Sequence, residues 1–199
     1  MKLKLYPLLC WILLLSSCNT SEKSDQQEPL TSEEKQEEQL VVTKSAFQKL
    51  CEKLPEIQLP YSVYCEKCCV HPKLAKEQTE IKKYLPEGTS FVGIIEINEN
   101  YISMLITHAA DWIIPAVIVL DIDGKLIDEE IFLGGYCGSD YEYIGKQYFF
   151  IDSPTQLREV DTSLQVNYHE ETFDIKDTLM IEIVTKNFKI DPKGISKVL

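Results

Sequence analysis

The chain has 199 residues and a formal net charge of −12 at pH 7. That length fits one domain, or one domain with appendages. A surface this acidic repels phosphate backbones, which argues against nucleic acid as a partner and against charge-driven docking on anionic lipid head groups.

Met1 to Lys4 is short and basic, Leu5 to Leu15 is almost wholly apolar, and Ser16, Ser17 and Cys18 follow. A basic head, an apolar run of roughly 7–15 residues and small residues before a cut describe an export signal. A spanning helix needs about 20 apolar residues, so this run is too short to stay in a bilayer. Leu15-Ser16-Ser17-Cys18 resembles the lipobox of bacterial lipoproteins, the site read by the lipoprotein-specific signal peptidase. The resemblance implies that residues 1–17 are removed as a signal peptide. It also implies that Cys18 carries a diacylglyceryl group and a further acyl chain such as palmitate. Acyl chains contribute about 0.8 kcal/mol per buried methylene, so two or three make a durable membrane anchor. The plain alternative is an ordinary secretory signal with a chance Cys18. Asn19 stands where enterobacterial lipoproteins retained in the inner membrane carry Asp, which points to the outer membrane. The partly acidic stretch Asn19 to Asp25 leaves both the periplasmic and the surface-exposed face open.

Residues 18–44 read as the lipidated cysteine and a flexible acidic tether. Between 19 and 39 there is no aromatic residue, and Glu and Gln dominate. Such a stretch buries too little apolar surface to offset its ordering entropy. As a coil it reaches on the order of 25 Å. A frayed helix over Thr31–Gln39 is the alternative. No second linker follows, so residues 45–199 read as a single β-rich domain.

Ser45-Ala46-Phe47-Gln48 fits a capping box, and Phe47, Leu50, Cys51 and Leu54 form an apolar stripe on a short helix that Pro55 stops. Leu59-Pro60-Tyr61 is an extended joint. A second helix is expected from Pro72 to about Leu85, with Leu74, Gln78, Ile81 and Leu85 on one face. From Thr89 the period changes to two. Strands are expected at Phe91–Ile97 and Tyr101–His108, joined by a hairpin at Asn98-Glu99-Asn100. Ile113–Asp121 and Leu126–Leu133 follow, around the turn Asp121-Ile122-Asp123-Gly124-Lys125. Later strands are expected near 147–152, 156–161, 163–168, 172–175 and 178–190. Short connections favour antiparallel pairing. The expected fold is α+β: a mainly antiparallel β meander, as one curved sheet or a barrel, with two short N-terminal helices.

Beyond the anchor, the cysteines are Cys51, Cys65, Cys68, Cys69 and Cys137. In an exported protein all five are disulfide candidates, and an odd number leaves one thiol over. Cys65-Glu66-Lys67-Cys68-Cys69-Val70-His71 gathers three thiols and an imidazole. Disulfide stapling, buried free thiols, a zinc site and a redox pair are its four readings. Zinc lacks a second ligand pair, and Cys69 takes the place that a haem-attachment histidine would need. Gly134-Gly135-Tyr136-Cys137-Gly138 is a Gly-rich loop, either a long hairpin connection or a ligand-approach site. No Gly-Lys-Ser/Thr follows it, so it is not a phosphate loop. Cys137 could bridge to the 65–69 cluster and pin this loop over the helical layer. A nucleophilic Cys137 would need His108 or His169 beside it. Asp121-x-Asp123-Gly124 lacks the remaining ligands of a calcium loop and reads as an Asp-rich turn. Trp112, beside Asp111, is either core or a ligand-stacking platform.

The opening Phe47…Leu50…Leu54…Leu59-Pro60-Tyr61 and the stretch Ile114-Pro115-Ala116…Asp121-x-Asp123-Gly124-Lys125…Gly134-Gly135 resemble, in layout, a group of uncharacterised Bacteroidota lipoproteins over residues 46–190. The resemblance implies an antiparallel β-rich fold and an envelope address, and no activity. The functional expectation is therefore a non-enzymatic, lipid-anchored envelope domain that binds an envelope protein or a small molecule. No catalytic residue, metal or cofactor is assigned. The rival is a thiol-dependent hydrolase or redox enzyme using Cys137 or the Cys65–His71 cluster.

Overall fold

The computed structural model describes residues 43–65, 67–109, 113–135, 137–140, 142–169, 171–172 and 174–198. The expected leader, Cys18 and nearly all of the tether lie outside these residues, as do Asp111, Trp112 and Tyr136. Among the described residues no helix is long and apolar enough to cross a membrane.

In chain order the elements are helix α1 (Ala46–Cys51), strand β1 (Tyr61–Tyr64), a 3-10 helix (Lys76–Lys83), β2 (Thr89–Ile97), β3 (Ile102–Ala109), β4 (Ile113–Leu120), β5 (Leu126–Ile131), β6 (Gly138–Asp140), β7 (Tyr143–Ser153), β8 (Gln156–Tyr168), β9 (Ile175–Asp191) and β10 (Gly194–Val198). The class is the expected one, mostly antiparallel β with little helix. The arrangement differs from one curved or closed sheet. β2-β3-β4-β5 form one four-stranded meander. β1-β7-β8-β9-β10 form a second sheet, with β6 added beside β7. Neither sheet closes into a barrel.

Two sheets are required because the first is apolar on both faces. Ile102 to Thr107 in β3 and Pro115 to Leu120 in β4 are buried without interruption. A continuously buried, mainly apolar run of this kind needs a covering layer on each side. On one face Ile102, Met104, Ile106 and Ile118 pack against Phe47, Cys51, Leu54 and Ile81 of the helical layer. On the other face Leu105, Val117 and Val119 pack against Phe149, Ile151, Leu157 and Phe188 of the second sheet. β7 alternates between buried and more exposed positions along most of its length, as a sheet with one covered face should.

Helix α1 begins where the capping box places it. The Ser45 Oγ accepts from the Gln48 N–H at 3.1 Å, and Gln48 Oε1 accepts from the Ser45 N–H at 3.0 Å. The second helix is a correction. It is a 3-10 segment starting at Lys76, not an α-helix from Pro72, and β1 separates it from α1. Gln78 explains the later start, since its Oε1 accepts from the Ala75 N–H at 2.7 Å and caps the chain there. Leu74 and Leu85 still pack around the buried Ile81 from outside the helix.

The Asp-rich turn is a turn. Asp121 Oδ1 accepts from the N–H groups of Asp123 and Lys125, each at 2.9 Å. Gly124 at φ +89° supplies the left-handed residue this hairpin requires. The Gly-rich stretch, in contrast, is not a hairpin loop. It carries the chain from β5 of the first sheet to β6 of the second. Phe132 enters the core there, stacked on Phe149 at 4.1 Å and edge-on to Phe188 at 5.2 Å.

Candidate functional site

The cysteines separate into three situations. Cys65, just after β1, is bonded to Cys137, just before β6, with Cα atoms 5.9 Å apart. The bridge ties the crossing loop to the second sheet rather than over the helices, because Cys65 lies beside β7: its backbone N–H donates to the Gln147 carbonyl at 3.3 Å. Gln147 is itself buried and donates to Asp161, and its Oε1 accepts from the Gly135 N–H at 2.9 Å. The Gly-rich loop thus spends the Gly135 N–H on an internal contact. Oxidised sulfurs carry no thiolate, so in this state Cys137 is not the nucleophile the enzymatic reading needs.

Cys51 is fully buried in the helical core, and burial pushes its thiol up to about 12. It is a packing residue. Cys68 and Cys69 are free thiols whose sulfurs lie 2.8 Å apart. They are the third situation.

The histidines do not join the cysteines. His71 places Nδ1 3.3 Å from the Phe91 carbonyl. His108 places Nε2 2.7 Å from Glu129 Oε1 across the first sheet. The His169 backbone N–H closes the β8–β9 connection on the Asp174 carbonyl at 2.9 Å. Among the described residues no three His, Cys, Asp or Glu side chains gather into a metal-binding group.

A cleft of about 490 Å³ lies over β8–β10 and is bordered by Asp152, Arg158, Phe188 and Val198. Its arginine is already engaged. Arg158 Nε and Nη2 each donate to the Asp152 carboxylate at 3.0 Å, and the guanidinium sits 4.1 Å over the Phe150 ring. That bidentate contact raises the Arg158 pKa and fixes the side chain.

The strand expected at 178–190 is present, and what sequence reasoning missed is that its outer part is exposed. β10 pairs with β9 only from Asn187 to Asp191. From residue 175 to 186 β9 is paired with β8 on one side, and no described strand pairs with its other edge. Half of the N–H and C=O groups of such an edge point away from the sheet. Apolar side chains flank it on both faces. Leu179, Ile181 and Ile183 are 56, 61 and 63% exposed, and Met180 and Val184 are 50 and 42% exposed. Leu179-Met180-Ile181-Glu182-Ile183-Val184 read in isolation signals a buried strand, so its sequence signal was visible and misleading.

The edges of the first sheet are covered in part, although Leu126, Ile127 and Ile131 of its outer strand β5 are also exposed. Residues 55–57 cover β2, with the Ile57 N–H donating to the Ile94 carbonyl at 2.7 Å and the Ile94 N–H to the Pro55 carbonyl at 2.9 Å. At β5, Asp128 Oδ2 accepts from the Ile195 N–H at 2.8 Å, joining this sheet to β10.

No protein-family model matches the chain, and neither a curated protein nor a solved structure is found to match it.

Proposed function

We propose that the chain is a lipid-anchored envelope lipoprotein, held by acyl chains on Cys18 in the outer membrane, whose domain binds another envelope protein by strand addition to β9. The observation that carries the binding half is the unpaired edge of residues 175–186. An extended segment laid there gains main-chain hydrogen bonds, and its side chains lie beside aliphatic neighbours on both faces. The edge carries Lys176, Asp177, Glu182 and Lys186, so its charges balance. That composition favours a neutral, apolar strand over a strongly cationic or anionic peptide. Exposed apolar area of this kind marks an interaction surface or an aggregation hazard. A tethered domain can keep such an edge for a partner. The anchor half rests on the basic head, the short apolar run and Leu15-Ser16-Ser17-Cys18.

The test is a photo-crosslinker placed at Ile183 of the full chain in its own membrane. The expected product is one discrete adduct to a different protein, joined through an apolar segment and lost in the Ile181→Lys variant. An adduct to a second copy of this chain overturns the choice of partner. No adduct above that from exposed Val70 overturns the site. The anchor is checked on the same preparation by mass spectrometry, where an unprocessed Met1 or an unacylated Cys18 rejects it.

A further inference from the structure

Cys68 and Cys69 are chain neighbours whose sulfurs lie 2.8 Å apart. They lie in an irregular stretch between β1 and the 3-10 helix, so no ladder hydrogen bonds fix their backbone. The two are not equivalent. Cys69 is 8% exposed within the core between the sheets, whereas Cys68 is half-buried at its margin. Tyr61 packs against the same part of the core. The contact with the Cys69 sulfur lowers the Cys68 pKa, against the cost of its own burial. The same contact, with burial, drives the Cys69 pKa upward, and Tyr61 is raised as well by burial and by the two sulfurs. The outer sulfur is therefore the more readily ionised of the two, and the inner sulfur the one that holds its proton. Low thiol pKa together with access is what distinguishes a reactive cysteine from a structural one. Cys51, apolar and sealed, is the structural counterexample in the same chain.

We infer that Cys68–Cys69 is a redox centre that closes reversibly to a vicinal disulfide when it meets an oxidant of the disulfide class. The reaction has two displacements. The Cys68 thiolate attacks one sulfur of the oxidant, forming a mixed disulfide and releasing the other half as a thiolate. Cys69 passes its proton to that released thiolate and attacks the Cys68 sulfur, expelling the second half, which takes up a proton from solvent. The chain loses two electrons and the Cys69 proton, solvent supplies the second proton, and one disulfide becomes two thiols. The Cys65–Cys137 bond, already formed a few residues away, fits an environment that supplies such oxidants. This inference is independent of the β9 edge.

The full chain is equilibrated with oxidised and reduced glutathione at neutral pH, acid-quenched, alkylated and digested with trypsin. Cleavage after Lys67 and Lys73 isolates residues 68–73, which contain both cysteines and neither Cys65 nor Cys137. The expected peptide is lighter than the dithiol by two hydrogens, unalkylated, in a fraction that follows the glutathione ratio and reverses. Cys69→Ser should instead accumulate glutathione on Cys68, because the resolving thiol is gone. Phenylarsine oxide, which bridges paired thiols, should bind the reduced chain at one equivalent and fail to bind Cys68→Ser. A peptide that stays fully alkylated in excess oxidised glutathione overturns the inference. So does stable glutathione on Cys68 of the unmodified chain, a bond from either residue to Cys51, Cys65 or Cys137, or a reduced chain that ignores the arsenical.

Discussion

The two sheets bury apolar side chains to very different ends. In the four-stranded sheet, Met104, Leu105, Ile106 and Ile118 are fully buried, with a helical layer on one side and a second sheet on the other. In the larger sheet the same residue types stand at the far end of β9, where Ile181 and Ile183 are more than half exposed. Hydrophobicity is the same in both places, and layering differs. An isoleucine contributes roughly 1.5–3 kcal/mol when it leaves water completely. The β9 isoleucines forgo most of that in the isolated chain, and a partner strand would recover it.

The comparison breaks most visibly at Phe132. Its ring is fully buried between Phe149 and Phe188, where the chain crosses between the sheets. Phe132→Ala should cost about 3–5 kcal/mol in urea unfolding of the domain, through lost transfer energy and a residual cavity. A cost below about 1 kcal/mol would mean that the two sheets are not packed through this ring.

Ile183→Lys sharpens the other side. On an exposed strand with little packing to lose, the same measurement should change by no more than about 0.5 kcal/mol. A larger loss would show that the β9 edge is covered within the folded chain, and would remove it as a binding site.

The smallest effect is read at the seam between the sheets. Glu130 on β5 is raised above its ordinary value, first by burial, then by Asp128 and Glu159, with Lys186 opposing. The folded chain then holds this proton to higher pH than the unfolded chain does. Stability falls as pH rises through the interval between the two midpoints. Glu130→Gln should therefore be slightly more stable than the parent at neutral pH, and the difference should vanish in acid below the ordinary carboxylate range. A variant less stable at neutral pH would show that the Lys186 attraction, not burial, governs this seam. Lys186 is held by Glu159 at 2.8 Å and Asp161 at 3.0 Å, so its charge is already largely matched.

Local chemistry was legible in the residues. The Ser45–Gln48 box, the Asp121–Gly124 turn and the meander β2 to β5 follow from side-chain hydrogen bonding, a left-handed glycine and a period of two. These act over a few residues, so a linear reading captures them. β8 was expected as two strands around Thr162, yet it runs unbroken from Gln156 to Tyr168. Pairing on both flanks, with β7 and β9, holds it straight through that polar interval. β1 and β10 are too short to announce themselves and exist because a neighbouring edge was available.

The site divides in the same way. The sequence by itself determined that five cysteines follow Cys18 and that three of them crowd into residues 65–69. It determined that the chain is acidic, and that an apolar run ends near residue 184. Only the tertiary structure decided which sulfurs meet. Cys65 reaches Cys137 across 72 residues of chain because both flank β7, and Cys68 turns instead to its neighbour. It also decided that the apolar end of β9 projects past the last strand able to cover it. Composition fixes what each side chain would gain from contact, and long-range strand order fixes whether a contact exists.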